Sequence, residues 1–412
     1  MINLPETLDP DLDSPSRAQA RSDGIEQARQ ALAKVFVVPN LTYPQRLQHA
    51  KDINALLALL EFQSGIVELE SRPQLIDLPV AGKCNLRCTM CGLSHGDPSY
   101  PNWTLAEVQR FEPLFKTARS VNPTGAGEPL SNRDLFSMLE LFFGYGLAAG
   151  FFTNATLLTA EKSERLIRLG ITQLNISIDG ATKETFEAIR HGAKFETVVG
   201  NARAFVQKRR ELGRDRPALQ IGMVLMQENM HELVDMVRLA ADIGANGLYT
   251  MFVSPLVPEK MCERDPVRTN RCLREARKVA AELKLHFHAP ADLPEPKTAA
   301  PLTIENTAPA APVVPAPVAV PQAVAPAPAA QLKGHYCTYP WKQMVVWNDG
   351  NVSPCCRIRD QVDGLPFGQI QDSEPEALWN SAGMVRLRER LLAGKPPPDC
   401  VACPIRTLHM QS

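Results

Sequence analysis

Between about Leu75 and residue 290, short apolar runs and stretches of helical period take turns six times. The runs QLIDLPV, RSVNPTG, LAAGFFTN, ITQLNISID, LQIGMVLM and NGLYTMFV have the length and composition of strands. Between and after them lie LAEVQRFEPLFKTA, DLFSMLELFFGYG, EKSERLIRLG, KFETVVGNARAFVQKRREL, HELVDMVRLAADIG and NRCLREARKVAAELK, all helical in period. A chain that alternates in this way has few choices, because strands joined through helices run parallel and the helices cover the sheet. The fold class is α/β, a parallel sheet wrapped by helices, with its active-site loops at the C-terminal strand ends.

Other segments frame this core of residues 75–290. Residues 1–74 read as a helical extension with a disordered tip. GIEQARQALAKVF and PQRLQHAKDINALLALLEF carry apolar residues at helical spacing, and Pro44 opens the second. We expect this extension to pack against the next domain rather than to act as a substrate arm. Residues 291–332 collapse to Ala, Pro and Val, a semi-extended linker with little capacity for a core, and residues 333–412 form a small cysteine-containing unit. The length of 412 residues suffices for two or three domains. A net charge of −1 gives no reason to expect nucleic acid or an anionic membrane as partner. The prolines within Ala308–Ala330 exclude a spanning helix there. The acidic start MINLPETLDPDLDSPS lacks an apolar signal, so a reducing cytoplasm is expected, and the cysteines, ten in all, are better read as a source of metal ligands than as a disulfide scaffold.

Three of those cysteines, Cys84, Cys88 and Cys91 in GKCNLRCTMCG, follow the first strand. Three thiolates can hold three irons of a [4Fe–4S] cluster and leave the fourth open, whereas a closed electron-transfer cluster takes four. A zinc site is the alternative, although zinc spacings usually join one C-x2-C to a second pair. The C-x3-C-x2-C spacing after a first strand resembles the signature of radical S-adenosylmethionine (SAM) enzymes. That resemblance implies a partial (β/α)6 TIM-like barrel, with the cluster loop where Cys84 falls.

The resemblance extends to the later strand ends. GAGEPL, Gly125 to Leu130, is similar to the family's GGE motif, with Ala126 in place of a glycine. Glycines permit close backbone approach to a ligand, and Glu128 offers a carboxylate. By resemblance Gly125, Gly127 and Glu128 are SAM contacts, Glu128 toward the methionine amino group. TNATLLT is similar to the family's TNGTLLT, with Ala155 replacing glycine. In NISIDG, Ser177 is a candidate for the SAM ribose or carboxylate, while Asp179 could instead order the turn. Arg190 stands where relatives place an arginine toward the SAM carboxylate, a solvated helix end being the other reading. Met90 stands where relatives carry a bulky residue near the adenine, and core packing explains it equally well. The implied reaction begins with SAM chelated by the open iron. One electron then breaks the S–C5′ bond, and the 5′-deoxyadenosyl radical takes hydrogen from a substrate.

The C-terminal unit carries a second set, Cys337, Cys355, Cys400 and Cys403. Twelve residues separate Cys337 from Gly350 and four more precede Cys355. With ALWNS and the closing C-x2-C this resembles a SPASM domain, in its truncated twitch form, which implies one auxiliary [4Fe–4S] cluster. A four-cysteine zinc site stays open as the alternative. Cys356 beside it is an extra ligand, a hydrogen donor or a buried thiol, and Cys262 and Cys272, after the sixth strand, read as ordinary thiols in preference to a catalytic hydrogen donor. The resemblance implies an electron donor such as flavodoxin or ferredoxin. With no peptide-binding winged helix evident, a small-molecule substrate, oxidised or rearranged, is favoured over a peptide. A non-catalytic iron–sulfur or zinc scaffold is the reading from another class.

Overall fold

The computed structural model describes residues 15–96, 99–253, 257–295, 337–401 and 403. Residues 1–14, where the expected disordered tip begins, and most of the expected linker lie outside the described residues.

The six expected strands form and lie side by side in chain order, all parallel. They are β1 (Leu75–Leu78), β2 (Ser120–Pro123), β3 (Ala148–Thr153), β4 (Gln173–Ser177), β5 (Ala218–Leu225) and β6 (Gly247–Phe252). Side chains alternate between the two faces. Phe151, Leu174, Ile176, Leu219, Ile221, Met223 and Leu248 are buried on the helix-covered face, whereas Asp77, Asn122, Phe152, Asn175, Ser177 and Gln220 belong to the concave face by that alternation. Two additions were not legible. A short parallel strand β7 (His286–His288) extends the β6 edge. At the other edge β8 (Gln343–Val346), from the C-terminal unit, pairs parallel with β1, and β9 (Val352–Ser353) pairs antiparallel with β8. The small unit therefore continues the sheet into nine strands rather than standing beside it. All four residues of β8 are buried, the condition that draws such a run into a sheet.

The covering helices are α3 (Leu135–Gly144), α4 (Ala160–Leu169), α5 (Phe195–Glu211), α6 (Leu233–Ile243) and α7 (Pro266–Glu282), preceded by α1 (Pro15–Lys34) and α2 (Tyr43–Gln63) and followed by α8 (Ala382–Leu392). Gly170 ends α4 and Gly244 ends α6 at φ of 79° and 80°, where a side chain would be strained. The extension packs on the core as expected: from α2, Lys51 Nζ donates to the carbonyls of Tyr145 (2.8 Å) and Gly146 (2.6 Å). Asn54 bridges Arg72 and Thr117. The C-terminal unit is tied to the segment before β1. Trp341 Nε1 donates to Ile66 O (3.1 Å) and Trp379 Nε1 to Ser71 O (2.8 Å). Arg388, fully buried, reaches the carbonyls of Val67, Pro340 and Trp379.

Candidate metal and cofactor site

The loop after β1 holds Cys84, Cys88 and Cys91 by its backbone. Arg87–Cys88 pairs antiparallel with Arg190–His191, setting Cys88 opposite Arg190. Thr89 N donates to Ile189 O (2.9 Å) and Cys91 N to Cys88 O (3.1 Å). Cys84 Sγ accepts from Leu86 N (3.5 Å) and from Asn154 Nδ2 (3.8 Å). Burial pushes the Cys84 thiol up and that of Cys88 to about 11, Arg190 opposing and the neighbouring thiols adding to the rise at Cys88. Thiols in that state bind metal by releasing protons.

The turn of Gly125, Ala126, Gly127 and Glu128 closes onto this loop. Gly127 N donates to Ala81 O (2.9 Å) and Glu128 N to Lys83 O (2.8 Å). A Cβ on Gly125, whose φ is 128°, would lie 2.1 Å from Ala81 O, and one on Gly127 would lie 2.1 Å from Lys83 O. The close approach anticipated with a ligand is thus made with the cysteine loop itself. Ala126 is exposed, and its amide donates to Asn348 Oδ1 (2.9 Å), while Asn348 Nδ2 donates to Ala81 O (3.2 Å). One side chain of the C-terminal unit therefore bridges both loops. Sequence reading missed Asn348, which stands more than two hundred residues from either loop.

Glu128 is buried, and Oε1 accepts from Thr153 Oγ1 (2.6 Å) and Leu130 N (3.0 Å) while Oε2 accepts from Asn154 N (2.7 Å). Burial raises its pKa against these donors. With two donors on Oε1 and one on Oε2, one acceptor position on Oε2 is unused among the described residues. Ser177, at the C-terminal end of β4, is half-buried, and its hydroxyl makes no hydrogen bond to the described residues. Arg190 is not the solvated helix-end residue that the sequence left open. Its Nε donates to Asp179 Oδ2 (2.7 Å), and Nη1 stands 4.0 Å from Cys88 Sγ. Asp179 also accepts from Val224 N (2.8 Å) at Oδ1, and burial raises its pKa against the pull of Arg190. Met90 packs against a small apolar cluster of Ile189, Met226, Val253 and Val257 at the ends of β5 and β6. Ala155 sits at φ 57°, which explains why similar turns carry glycine there.

In the C-terminal unit Cys337, Cys355, Cys400 and Cys403 are all half-buried. Burial and the neighbouring thiols push Cys400 up to about 12. Cys356 is exposed, Cys262 is buried and Cys272 lies half-buried in α7. Among the described residues no three His, Cys, Asp or Glu side chains stand together as a site for one metal ion. The donor chemistry, three thiols in one set and four in the other, is that of iron–sulfur ligation, and the turn bonded to the first set keeps it on a fixed backbone. By donor chemistry, though not by a closed grouping of the thiols, both sets are of the kind that ligates such clusters. No described helix is long and apolar enough to cross a membrane.

Residues 78–240 match the Radical SAM superfamily, and residues 337–404 match the SPASM iron–sulfur cluster-binding domain. The AdoMet-dependent heme synthase of Methanosarcina barkeri is 29% identical over 194 residues, 46% of this chain and 53% of the relative. The GTP 3′,8-cyclase of Listeria monocytogenes is 30% identical over 182 residues, 42% and 51% of the two chains. The chain thus spans about half the length of the curated relatives it matches. Streptococcus suis SuiB bound to S-adenosylmethionine superposes with a TM-score of 0.57 at 13% identity, covering 95% of this chain and 84% of that one. The structure of anSMEcpe with bound AdoMet and Cp18Cys peptide gives 0.51 at 17% identity, over 80% and 85%. At these identities the likeness to both structures is one of fold.

Proposed function

The chain belongs to the radical SAM superfamily and carries a SPASM-type iron–sulfur domain, and from that premise we propose that it cleaves SAM reductively and takes hydrogen from a substrate held in the barrel. The observation that carries the reading is the bonding of the three-cysteine loop to the Gly125–Glu128 turn at the C-terminal end of the sheet. Cys84, Cys88 and Cys91 would hold the first cluster and leave one iron for SAM. When bound and reduced, that cluster supplies the electron that breaks the S–C5′ bond, giving methionine and the 5′-deoxyadenosyl radical. The chain's own residues position and shield. Glu128 would offer its remaining acceptor position to the SAM amine, Ser177 a hydroxyl unengaged among the described residues, and Arg190, whose Nη1 stands 4.0 Å from Cys88 Sγ, positive charge toward the SAM carboxylate. Met90 and its apolar neighbours form a dry floor for the adenine.

Cys337, Cys355, Cys400 and Cys403 would hold one auxiliary cluster, closed by four thiolates and suited to accept an electron in a net oxidation. A low-potential carrier of the flavodoxin or ferredoxin class supplies the first electron. A small metabolite is favoured as substrate, in keeping with relatives named for heme synthesis and GTP cyclisation. The test is anaerobic reconstitution followed by dithionite and SAM. Formation of 5′-deoxyadenosine is expected, together with about eight irons per chain. A fully loaded protein that makes no 5′-deoxyadenosine would remove the proposal, and about four irons with one zinc would remove the auxiliary cluster.

A further inference from the structure

The concave face of the sheet carries an aromatic wall that none of the cofactor contacts uses. Register places Ser177, Gly222, Tyr249 and His288 in one row across β4 to β7. Phe152, on β3, belongs to the same face, since its neighbours Phe151 and Thr153 are buried on the other. Its ring lies over Gly222, where a Cβ would come to 3.4 Å from Cε1. From there it meets Tyr249 edge-on, with ring centroids 6.4 Å apart, and Tyr249 stacks on His288 at 4.9 Å and 11°. Phe152 is 49% exposed, and Met251, one row further along β6, is 47% exposed. Two large apolar side chains thus line the hollow of the barrel uncovered, and the row they join begins at Ser177.

Charge narrows what can lie there. No position of β1 to β8 on the concave face is a lysine or an arginine. Its one carboxylate, Asp77, is engaged by Asn122 Nδ2 (2.7 Å) and Gln343 Nε2 (2.7 Å). Phosphates and clustered carboxylates are recognised by charge-assisted bonds from arginine or lysine, which this face does not offer. Aromatic edges and faces, with a flexible thioether beside them, suit a flat ring.

We propose that Phe152, Tyr249 and His288, with Met251, form the substrate wall, and that the substrate presents an uncharged planar ring to it. The ring is either an aromatic side chain of a peptide or part of a free aromatic metabolite. This rests on the radical reading, because Ser177 in the same row brings the wall beside the adenosyl group.

The experiment uses the anaerobically reconstituted full chain with SAM bound. Saturation-transfer NMR is run with N-acetyl-tryptophanamide, with a tryptophan-containing pentapeptide and with GTP. Both ring probes are expected to bind and GTP to fail. Phe152→Leu, which keeps apolar bulk, should weaken ring binding by about fivefold, and Phe152→Trp should retain it. Tighter binding of the pentapeptide identifies a peptide source, and equal binding a free metabolite; either sustains the wall. The proposal falls if neither ring probe binds at millimolar concentration, if GTP binds as well as they do, or if Phe152→Leu changes nothing. Formation of 5′-deoxyadenosine by the unmodified protein, measured on the same sample, reports separately on the radical reading.

Discussion

Arg190 and Asp179 offer a prediction whose size follows from burial. The two side chains are 9% and 0% exposed and meet at 2.7 Å. In Arg190→Gln the Asp179 carboxylate keeps Val224 N on Oδ1 but loses the cation on Oδ2. Breaking a buried ion pair from one side costs about 3–5 kcal/mol, chiefly because the surviving charge stays out of water. An exposed pair such as Arg238 with Asp235, at 61% and 58% exposure, is worth about 0–1 kcal/mol. Since a domain is stable by about 5–15 kcal/mol in total, the loss should be plain in a urea titration of the metal-free protein followed by tryptophan fluorescence.

The single variants Arg190→Gln and Asp179→Asn and their combination close a double-mutant cycle. With both charges gone, two amides face each other and no buried ion is stranded. The double variant should therefore lose less than the sum of the singles, by about 2 kcal/mol or more. An Arg190→Gln cost below about 1 kcal/mol, or strict additivity, would refute the assignment of a buried, mutually dependent pair. The local consequence is checkable too. Arg190 pairs with Cys88 in the short ribbon, so Arg190→Gln should lower iron retention at the first site and spare the auxiliary site.

The joint between the cysteine loop and the glycine turn should not tolerate a methyl group. Gly127→Ala sets a Cβ 2.1 Å from Lys83 O, and after reconstitution the variant should hold about four of eight irons, measured by iron assay. Asn348→Ala removes two hydrogen bonds, but Ala81 O keeps Gly127 N and the Ala126 amide is open to water. The expected loss is therefore about 1 kcal/mol, seen as a several-fold higher KM for SAM in 5′-deoxyadenosine formation with little change in kcat. Iodoacetamide at pH 8 followed by peptide mass spectrometry should label exposed Cys356 long before Cys262, which is fully buried with its thiol pushed to about 12 by burial.

How much of this was legible depends on how far apart in the chain the partners lie. The six strands and their order announced themselves because each is a local apolar run, and from β2 onward each is followed by its own covering helix. β7 did not, because HFH is three residues with histidine at both ends. β8 did not, because its partner Leu75–Asp77 lies some 268 residues upstream and no local pattern encodes that pairing. The cysteines were legible as ligands since the spacing of thiols is itself local. What holds them was not: Cys88 finds Arg190, and Ala126 finds Asn348, only once the strand ends are assembled.

The two alanines that stand where similar motifs carry glycine show the same limit from the other side. In the turn, Gly125 and Gly127 each abut a carbonyl of the cysteine loop at a distance that excludes any Cβ, whereas Ala126 between them is exposed and contributes only its amide. The substitution has fallen at the one position of the three where a methyl costs nothing. Ala155 is different, because its φ of 57° strains an L-residue by about 1–2 kcal/mol. It is also fully buried, and burying its methyl returns about 0.8 kcal/mol. The stiffer unfolded chain returns about 0.4–1 kcal/mol more. Burial and chain stiffness offset part of the strain, and because an alanine at positive φ is on balance less stable than glycine, the departure carries a small net cost that the fold absorbs.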